Sequence, residues 1–319
     1  MSTFEEAVGR IGGASAFDEL AGGADADRAY REWAKLVHPD AVGAAENEAA
    51  TAAFARLARL YRERGGTELR TPQAVYRVGG IVASGDVADL SAVDGNRALL
   101  KVPRNPADND LMTTEADALR RLWRDGDPKF RPYAPRLLES FVHEDAARVR
   151  RRVNVIERLD GFVPLSRVTR AIDPRDGAWM WRRLLAGLGW AHRAGVVHGS
   201  ICEAHVLIHP AEHGLALVDW CYSGLRPVAV APGAIYPPEV WRDRTASPAT
   251  DIHMATGLMT RLIGERMPAA MKRFAGGCLQ DAPRMRPQDA WVLLREYDEL
   301  LHKLYGPRTF RPFRIDEGN

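Results

Sequence analysis

The stretch GVVHGSICEAHVLIHPAEHGLALVDW, residues 195–220, contains four histidines, a cysteine and an aspartate between short apolar runs. Imidazole, thiol and carboxylate groups are side chains that bind metal ions and transfer protons in proteins. Ser200 lies between His198 and His205, and a serine hydroxyl cannot accept a proton from a nucleophile as a carboxylate does. The order and spacing of these residues decide our interpretation of the fold.

The composition limits the classes of protein to which the chain can belong. With 319 residues, of which 46% are hydrophobic, it can bury a large core in one or two domains. The net charge of +2 argues against a dedicated nucleic-acid or membrane binder. Three cysteines form no disulfide framework, and the acidic N-terminus MSTFEEAVGR lacks the apolar core of a signal peptide. We therefore expect a cytoplasmic protein.

Hydrophobic periodicity divides the chain into a helical part, a strand-rich part and a second helical part. Apolar residues recur at helical spacing at Tyr30, Trp33, Ala34 and Val37, and again at Ala50, Phe54, Leu57 and Tyr61. From Val75 onward, β-branched runs such as VYRVGGIVA and RALLKV predict strands. After Pro164 the pattern is helical again, with Met180, Leu184, Leu188 and Ala191 at core spacing. Gly65-Gly66 and Pro72 mark a linker. We predict an α+β fold with a helical module at 1–66, a linker at 67–74, a main domain at 75–305 and a tail at 306–319.

The loop between the first two predicted helices contains His38-Pro39-Asp40. Together with the flanking amphipathic helices, this motif resembles the J-domain of DnaJ proteins over about residues 14–64. The resemblance implies an antiparallel helical hairpin with the HPD motif exposed at its turn. It also implies that these three residues bind a DnaK-type chaperone and trigger its ATP hydrolysis. The alternative is a helical hairpin in which Pro39 only ends a helix.

Two further features bear on this chaperone contact. Arg28, Arg31 and Lys35 would form a positive face for an acidic groove on the chaperone. The segment AVGAAENEAA after the motif lacks the basic residues that are usual there. This departure favours a weakened or partner-specific contact.

Residues 73–300 resemble protein kinases, which implies a bilobal fold with a small sheet-rich lobe and a larger helical lobe. In such kinases H-R-D-x-x-x-x-N supplies the catalytic aspartate and a metal-binding asparagine, and D-F-G supplies a second metal ligand. Here the catalytic aspartate is replaced by Ser200 and the asparagine by His205, while His198 and Asp219 remain. The resemblance therefore implies a pseudokinase, whose catalytic loop is degenerate.

Other landmarks of the kinase resemblance concern the nucleotide and the scaffold. Lys101 matches the lysine that holds phosphates, Glu115 the helical glutamate that pairs with it, and Glu157 the adenine-binding hinge. Three scaffold residues match by their positions in YPPEV, TDIHMATG and RMRP, namely Glu239, Asp251 and Arg286. Lys101 and Glu115 are also compatible with a purely structural ion pair.

The predicted glycine-rich loop is degraded in A-S-G-D-V-A-D-L, residues 83–90, where only Gly85 remains. Asp86 would bring a carboxylate towards the phosphates, which repel it. We therefore expect only weak binding of ATP and Mg²⁺, with Asp219 as the metal ligand. His205 and Asp219 together are compatible with a two-ligand site for a borderline divalent metal, and equally with plain filling of the pocket.

These observations favour a regulatory protein in which a J-domain co-chaperone arm is fused to a pseudokinase that binds an unidentified client. The alternative is an active, atypical ATP-dependent phosphotransferase of the serine/threonine kinase type. In that case Glu203 or Asp219 would replace the missing base, because positioning and charge carry most of phosphoryl-transfer catalysis. The arginine-phenylalanine tail TFRPFRIDEGN is expected to pack on the fold rather than to bind nucleic acid.

Overall fold

The computed structural model describes residues 3–14, 17–43, 45–63, 67–93, 97–168, 171–227 and 229–315. The chain divides into two compact units, Met1–Val102 and Pro103–Asn319. Both units combine helices with antiparallel strands, which confirms the predicted mixture of α and β structure.

The first unit begins with four helices, α1 Phe4–Gly13, α2 Phe17–Ala21, α3 Ala26–Val37 and α4 Asn47–Glu63. Thr3 and Asp25 cap α1 and α3 by accepting hydrogen bonds from backbone N–H groups of the first turn. The predicted apolar faces of α3 and α4 form one core, in which Val37 and Leu57 are fully buried. Trp33 also lies in this core, and its Nε1 donates to the carbonyl of Leu20.

Ring contacts show that α3 and α4 run antiparallel. Tyr30 packs on Tyr61 with ring centroids 4.2 Å apart, and His38 packs on Phe54 at 5.0 Å. Residues that come later in α3 thus meet residues that come earlier in α4. The HPD motif lies in the connection between the two helices, where Pro39–Ala41 form one turn of 3₁₀ helix.

The J-domain resemblance covers about residues 14–64 and so omits α1, which belongs to the same core. Ala7 and Ile11 of α1 are fully buried in it. Arg56 on α4 fixes the end of α1, because Nε donates to the carbonyl of Ile11 and Nη2 to that of Ala14, each at 2.7 Å. The first helix is therefore an integral part of the helical module.

Four antiparallel strands follow in the order β1-β2-β3-β4, with β1 Thr67–Arg70, β2 Val75–Ser84, β3 Ala88–Val93 and β4 Ala98–Pro103. Residues 67–74, predicted as a linker, instead form β1 and a tight turn, and Thr67 pairs with Val78 in β2. Thr71 closes the turn, since its hydroxyl accepts from the N–H of Ala74 at 3.0 Å. Gly65 and Gly66, which suggested a linker, lie outside the described residues.

The second unit contains helix α5 Asn109–Asp125, the hairpin β5 Leu137–Glu144 and β6 Arg150–Glu157, and a three-stranded sheet of β7 Val163–Pro164, β8 Val206–His209 and β9 Gly214–Leu217. Its remaining helices are α6 Pro174–Arg193, α7 Pro238–Arg242, α8 Pro248–Ile263, α9 Ala269–Cys278 and α10 Ala290–Tyr305.

Helix α6 is the centre of this unit and packs against α8, α10 and β9. Met180, Leu184, Leu188 and Ala191, predicted as its core face, are fully buried. All three cysteines are buried as free thiols. Within the described residues, no helix combines the length and the apolar character that crossing a bilayer requires.

The tail packs on α6, as the sequence predicted. Phe313 lies edge-on to Trp179 with ring centroids 6.2 Å apart, and Arg311 forms an ion pair with Asp173 at 3.2 Å. The contacts of the tail therefore run along the N-terminal half of α6.

In the β5–β6 hairpin, Arg151 pairs with Asp145 at 2.6 Å.

Candidate functional site

The loop that joins α6 to β8 is held by one buried carboxylate. Asp251, fully buried near the start of α8, accepts from the backbone N–H groups of His198 and Gly199 at 2.8 and 2.9 Å. Its Oδ2 also lies 2.9 Å from Nε2 of His192 on α6. These contacts fix the position of the backbone at the start of the loop.

His198 is a structural residue of this loop. Its Nε2 lies 3.0 Å from the carbonyl oxygen of Val218, and its ring is fully buried against Trp220. Burial lowers the pKa of His198 to about 4, because the charged ring would lose its hydration. The ring is therefore neutral near pH 7 and donates through Nε2 to a backbone acceptor.

Gly199 occupies a position that other residues cannot adopt without strain. Its φ is +77°, and a Cβ atom there would overlap the carbonyl oxygen of Tyr222. Kinases of the resembled type have an arginine at this position of the motif. The close approach of Tyr222 explains why this chain has a residue without a side chain here.

We expect Gly199→Ala to lower the free energy of unfolding by about 2–4 kcal/mol, because it combines left-handed strain with backbone overlap. Gly257→Ala is the matched control, since Gly257 lies within α8 and its nearest neighbour to an added Cβ is the Arg261 side chain at 3.6 Å. Alanine in a helix should be neutral or stabilising there. Urea unfolding of both variants measures the difference, and equal stabilities would contradict the packing described here.

His205 links Ser200 to Asp219. Its Nδ1 lies 2.8 Å from the carbonyl oxygen of Ser200 and 3.1 Å from the hydroxyl of the same residue. Its Nε2 lies 3.5 Å from Oδ2 of Asp219. Because carbonyl and carboxylate oxygens only accept hydrogen bonds, both ring nitrogens face acceptors, which suits the protonated imidazolium.

The electrostatics agree with this geometry. Burial by itself would lower the pKa of His205, but the hydrogen bond with Cys202, the charge of Asp219 and the Ser200 carbonyl raise it to about 9. A cation therefore lies beside Asp219 at neutral pH. It is supplied by the chain itself, at the position where the resembled kinases have a neutral asparagine.

This pKa shift gives a pH-dependent stability. The pKa of His205 is raised in the folded state from 6.5 to about 9, so its contribution is complete below pH 6.5 and is lost as the pH rises through 9. The loss is on the order of 3 kcal/mol. We expect the free energy of unfolding to decline over this window in the wild type, and to decline less in His205→Asn. Parallel profiles in urea unfolding at several pH values would show that His205 does not titrate there.

Ser200, His205 and Asp219 resemble the serine–histidine–aspartate arrangement of hydrolases in composition, but their geometry does not support that chemistry. A general base needs a free lone pair directed at the hydroxyl. Here Nδ1 of His205 faces the Ser200 carbonyl at 2.8 Å, and Ser200 is fully buried. The hydroxyl is thus a packing element and not an accessible nucleophile.

Asp219 has the backbone strain that is frequent at functional sites. Its φ and ψ are 62° and 53°, a left-handed conformation that is uncommon for residues other than glycine. Cys221 donates from Sγ to Oδ1 of Asp219 at 3.7 Å. Single ligand atoms of Asp219, Cys221 and Glu115 lie within 4.8 Å of one another. The D-W-C segment is therefore packed directly against α5.

A metal ion bound at His205 would have to compete with a proton on the ring. Metal coordination requires the neutral imidazole, whereas the pKa of His205 is raised to about 9. Magnesium prefers oxygen ligands, so of the three clustered groups only Asp219 and Glu115 suit it. The contact between His205 and Asp219 is an ion pair at 3.5 Å, and coordination of a metal by these two residues stays a prediction.

The other residues predicted to bind nucleotide belong to both units. Gly85 and Lys101 lie in the first, and Glu115, Glu157 and Asp219 in the second. Glu115 is buried on α5, and Lys101 is only 3% exposed on β4. A site built from all five therefore remains a prediction.

Two of these positions show specific local bonds. Gly85 begins the turn between β2 and β3, and there the carboxylate of Asp86 accepts the N–H of Val87 at 2.9 Å. Such N–H groups are the donors that a phosphate-binding loop offers. Glu157 pairs with the backbone of Arg136, since its side chain accepts from the N–H and its own N–H donates to the carbonyl.

The sequence did not point to Asn154. It is fully buried in β6, and its Nδ2 donates to the carbonyl of Met112 and to Glu115, both at 2.9 Å. Asn154 thereby fixes the orientation of Glu115. The signal in the sequence was an amide side chain among the apolar residues Val153, Val155 and Ile156.

The HPD motif forms the second candidate site. The side chains of His38 and Asp40 are 46% and 91% exposed, which leaves them accessible. The loop is nevertheless ordered by local bonds, because Nδ1 of His38 accepts from the N–H of Asp40 and Asn47 donates to the carbonyl of Pro39. The motif is thus presented on a fixed backbone.

The predicted basic face lies on the exposed side of α3, where Arg28, Arg31 and Lys35 are all exposed. Arg28 pairs with Glu32 at 3.1 Å, and Arg31 donates to the carbonyl of Asp27. Exposed pairs of this kind are weak and exchange readily for other partners. The face can therefore still attract an acidic surface.

The loop at 198–205 and the HPD loop are each held in place by local contacts. In comparisons with known proteins, no protein-family model and no curated protein matches this chain.

Proposed function

We propose that this chain is a J-domain co-chaperone whose arm is joined to a pseudokinase that binds a client. The observation that carries the proposal is the exposed HPD motif on an ordered turn between two antiparallel helices. That geometry suits docking to a DnaK-type chaperone, with Arg28, Arg31 and Lys35 attracting an acidic groove. The client would bind the second unit and be delivered to the chaperone.

The pseudokinase part of the proposal rests on two kinds of observation, the contacts of the residues that match the kinase scaffold and the residue that stands at the position of the catalytic base. Asp251 braces the loop, and Glu239 forms two hydrogen bonds with Arg286 at 2.6 and 3.0 Å. The position of the catalytic base holds the buried hydroxyl of Ser200, which cannot perform that role. A fold without its base is suited to binding rather than to turnover.

Weak nucleotide binding belongs to the same proposal. The carboxylate of Asp86 accepts a backbone N–H of the loop that would face the phosphates. His205 already supplies a positive charge to Asp219. Both features make the free energy of MgATP binding less favourable, so ATP and Mg²⁺ would be weak ligands.

The test of the co-chaperone function measures ATP turnover by a DnaK-type chaperone from the same organism, with and without the full chain. The proposal expects a several-fold acceleration that saturates with the concentration of the chain. No acceleration at any concentration would overturn the co-chaperone function. A client peptide added in parallel controls for stimulation through the substrate site alone.

The alternative is an atypical phosphotransferase in which Glu203 or Asp219 replaces the missing base. Both carboxylates already have cationic partners, since Glu203 pairs with Arg261 on α8 at 2.9 Å and Asp219 lies 3.5 Å from Nε2 of His205. We therefore expect no transfer of radiolabelled phosphate from ATP to the chain or to generic protein substrates, with either Mg²⁺ or Mn²⁺. Transfer that is abolished by Lys101→Ala would contradict this expectation and favour the enzyme.

A further inference from the structure

The second unit contains an arginine-lined cavity of about 610 Å³ at the C-terminal end of α5. Four arginines line it, Arg120, Arg124, Arg131 and Arg136. None of the described residues that line it is acidic. A volume of this size lies within the range of ligand-binding cavities, and its lining favours a negatively charged occupant.

The lining of the cavity includes the indole of Trp123, whose orientation is fixed. Nε1 of Trp123 donates to the carbonyl of Pro135 at 3.2 Å. The guanidinium groups of Arg131 and Arg136 lie 5.2 and 5.8 Å from the indole centroid, within cation–π range. These contacts hold both guanidinium groups beside the indole before any ligand binds.

The two arginines are also anchored by other bonds. Nη2 of Arg131 donates to the carbonyl of Trp123 at 2.8 Å, and its Nε is buried without a partner among the described residues. The backbone of Arg136 is bonded to Glu157 in both directions, while its side chain is exposed. The positive charge is thus displayed on an ordered framework.

The outer arginines have neighbours that a ligand can replace. Arg120 pairs with Asp117 at 2.9 Å, and Arg124 pairs with Asp125 at 2.8 Å, all on the exposed side of α5. Exposed pairs contribute little and reorganise readily. Arg120 and Arg124 can therefore turn to an incoming carboxylate.

We propose that this cavity binds an acidic peptide segment of a partner protein. The planar fork of arginine binds carboxylates in a bidentate manner. Leu137, which is partly exposed, adds apolar surface to the lining that contains the indole of Trp123, which suits an apolar side chain between acidic ones. The cavity is also larger than a single inorganic anion requires.

This inference deepens the proposed function, because such a segment would be the means by which the second unit holds its client. It rests on contacts of the second unit alone. A failure of peptide binding would leave stimulation of the chaperone intact, and a failure of stimulation would leave peptide binding intact.

The test uses the full chain without chaperone and a fluorescein-labelled peptide in which glutamates alternate with leucine and phenylalanine. Fluorescence anisotropy is expected to show saturable binding that weakens at high salt. Arg136→Glu should lower the affinity at least about tenfold, because it replaces an attraction by a repulsion. Arg295→Glu is the control, since it makes the same charge change at an exposed position of α10 and should change the affinity less than about twofold.

Several outcomes would overturn the proposal. Equal weakening by both variants would indicate non-specific attraction by net charge. Inorganic phosphate that displaces the peptide fully at low concentration would indicate a small-anion site, and a single-stranded oligonucleotide that binds more tightly than the peptide would indicate nucleic-acid binding. A glutamine version of the peptide that binds as well as the glutamate version would exclude charge recognition.

Discussion

Replacing His38 by glutamine is expected to abolish the acceleration of ATP turnover by a DnaK-type chaperone. The side chain of His38 is 46% exposed and its Nδ1 accepts a hydrogen bond from the N–H of Asp40, so the substitution removes both an exposed ring and a bond that shapes the loop. Glutamine removes the ring while retaining a polar side chain. The measurement is steady-state ATP hydrolysis at saturating concentrations of the chain.

The matched control for this variant is Glu46→Gln, which changes an exposed residue of the same loop outside the motif. It should retain the acceleration. Thermal unfolding should show that His38→Gln is folded, because His38 contributes only an edge contact with Phe54 to the core. Equal acceleration by the wild type and His38→Gln would reduce the HPD motif to a helix stop and remove the main support for the proposed function.

Replacing Arg286 by alanine is expected to lower the free energy of unfolding by about 3–5 kcal/mol. Arg286 is 3% exposed and bonds Glu239 at 2.6 and 3.0 Å, as well as the carbonyls of Gln280 and Asp281. Without it, the carboxylate of Glu239 is buried without its cation. The measurement is urea unfolding followed by the tryptophan signal.

The control is Arg284→Ala, an exposed arginine two residues earlier, which should change stability by less than about 0.5 kcal/mol. The double variant Arg286→Met with Glu239→Leu should recover most of the loss, because it removes both charges together. A small effect of Arg286→Ala would mean that water or another cation compensates Glu239. The double variant separates a charge effect from a general packing defect.

The ion pair between Glu239 and Arg286 also makes the free energy of unfolding sensitive to acid. Burial opposes the charge of Glu239, but the bonds from Arg286 and Thr250 prevail and lower its pKa below the usual value. Its stabilising contribution is therefore present above the pKa of the unfolded carboxyl group and is lost as the pH falls through the lowered value. The acid limb of the stability profile should be shallower in the double variant.

Local sequence patterns predicted the elements whose residues lie close together in the chain. The spacing of Trp33 and Val37 and of Leu57 and Tyr61 indicated α3 and α4, because one face of an amphipathic helix must be buried. The proline of the HPD motif indicated the break between them. The core face of α6 was predicted for the same reason, and its residues are fully buried.

Patterns were less informative where segments are short. Helix α1 has only two fully buried residues, Ala7 and Ile11, so its periodicity is weak, and its end depends on Arg56 far along the chain. Strand β1 was interpreted as a linker because Gly65, Gly66 and Pro72 suggested a break. Its pairing with β2 comes from backbone hydrogen bonds, which side-chain patterns do not record.

By itself, the sequence determined that position 200 offers a hydroxyl and not a carboxylate, whatever the fold. Only the tertiary structure decided how the replacements are used. His205 meets acceptors on both sides because β9 delivers Asp219 to it, and Gly199 is needed because Tyr222 approaches it. The arginine-lined cavity depends on contacts in which the guanidinium groups of Arg131 and Arg136 lie within cation–π range of the Trp123 indole. Electrostatic effects and packing depend on distances in space, and those distances are set by the fold and not by separation along the chain.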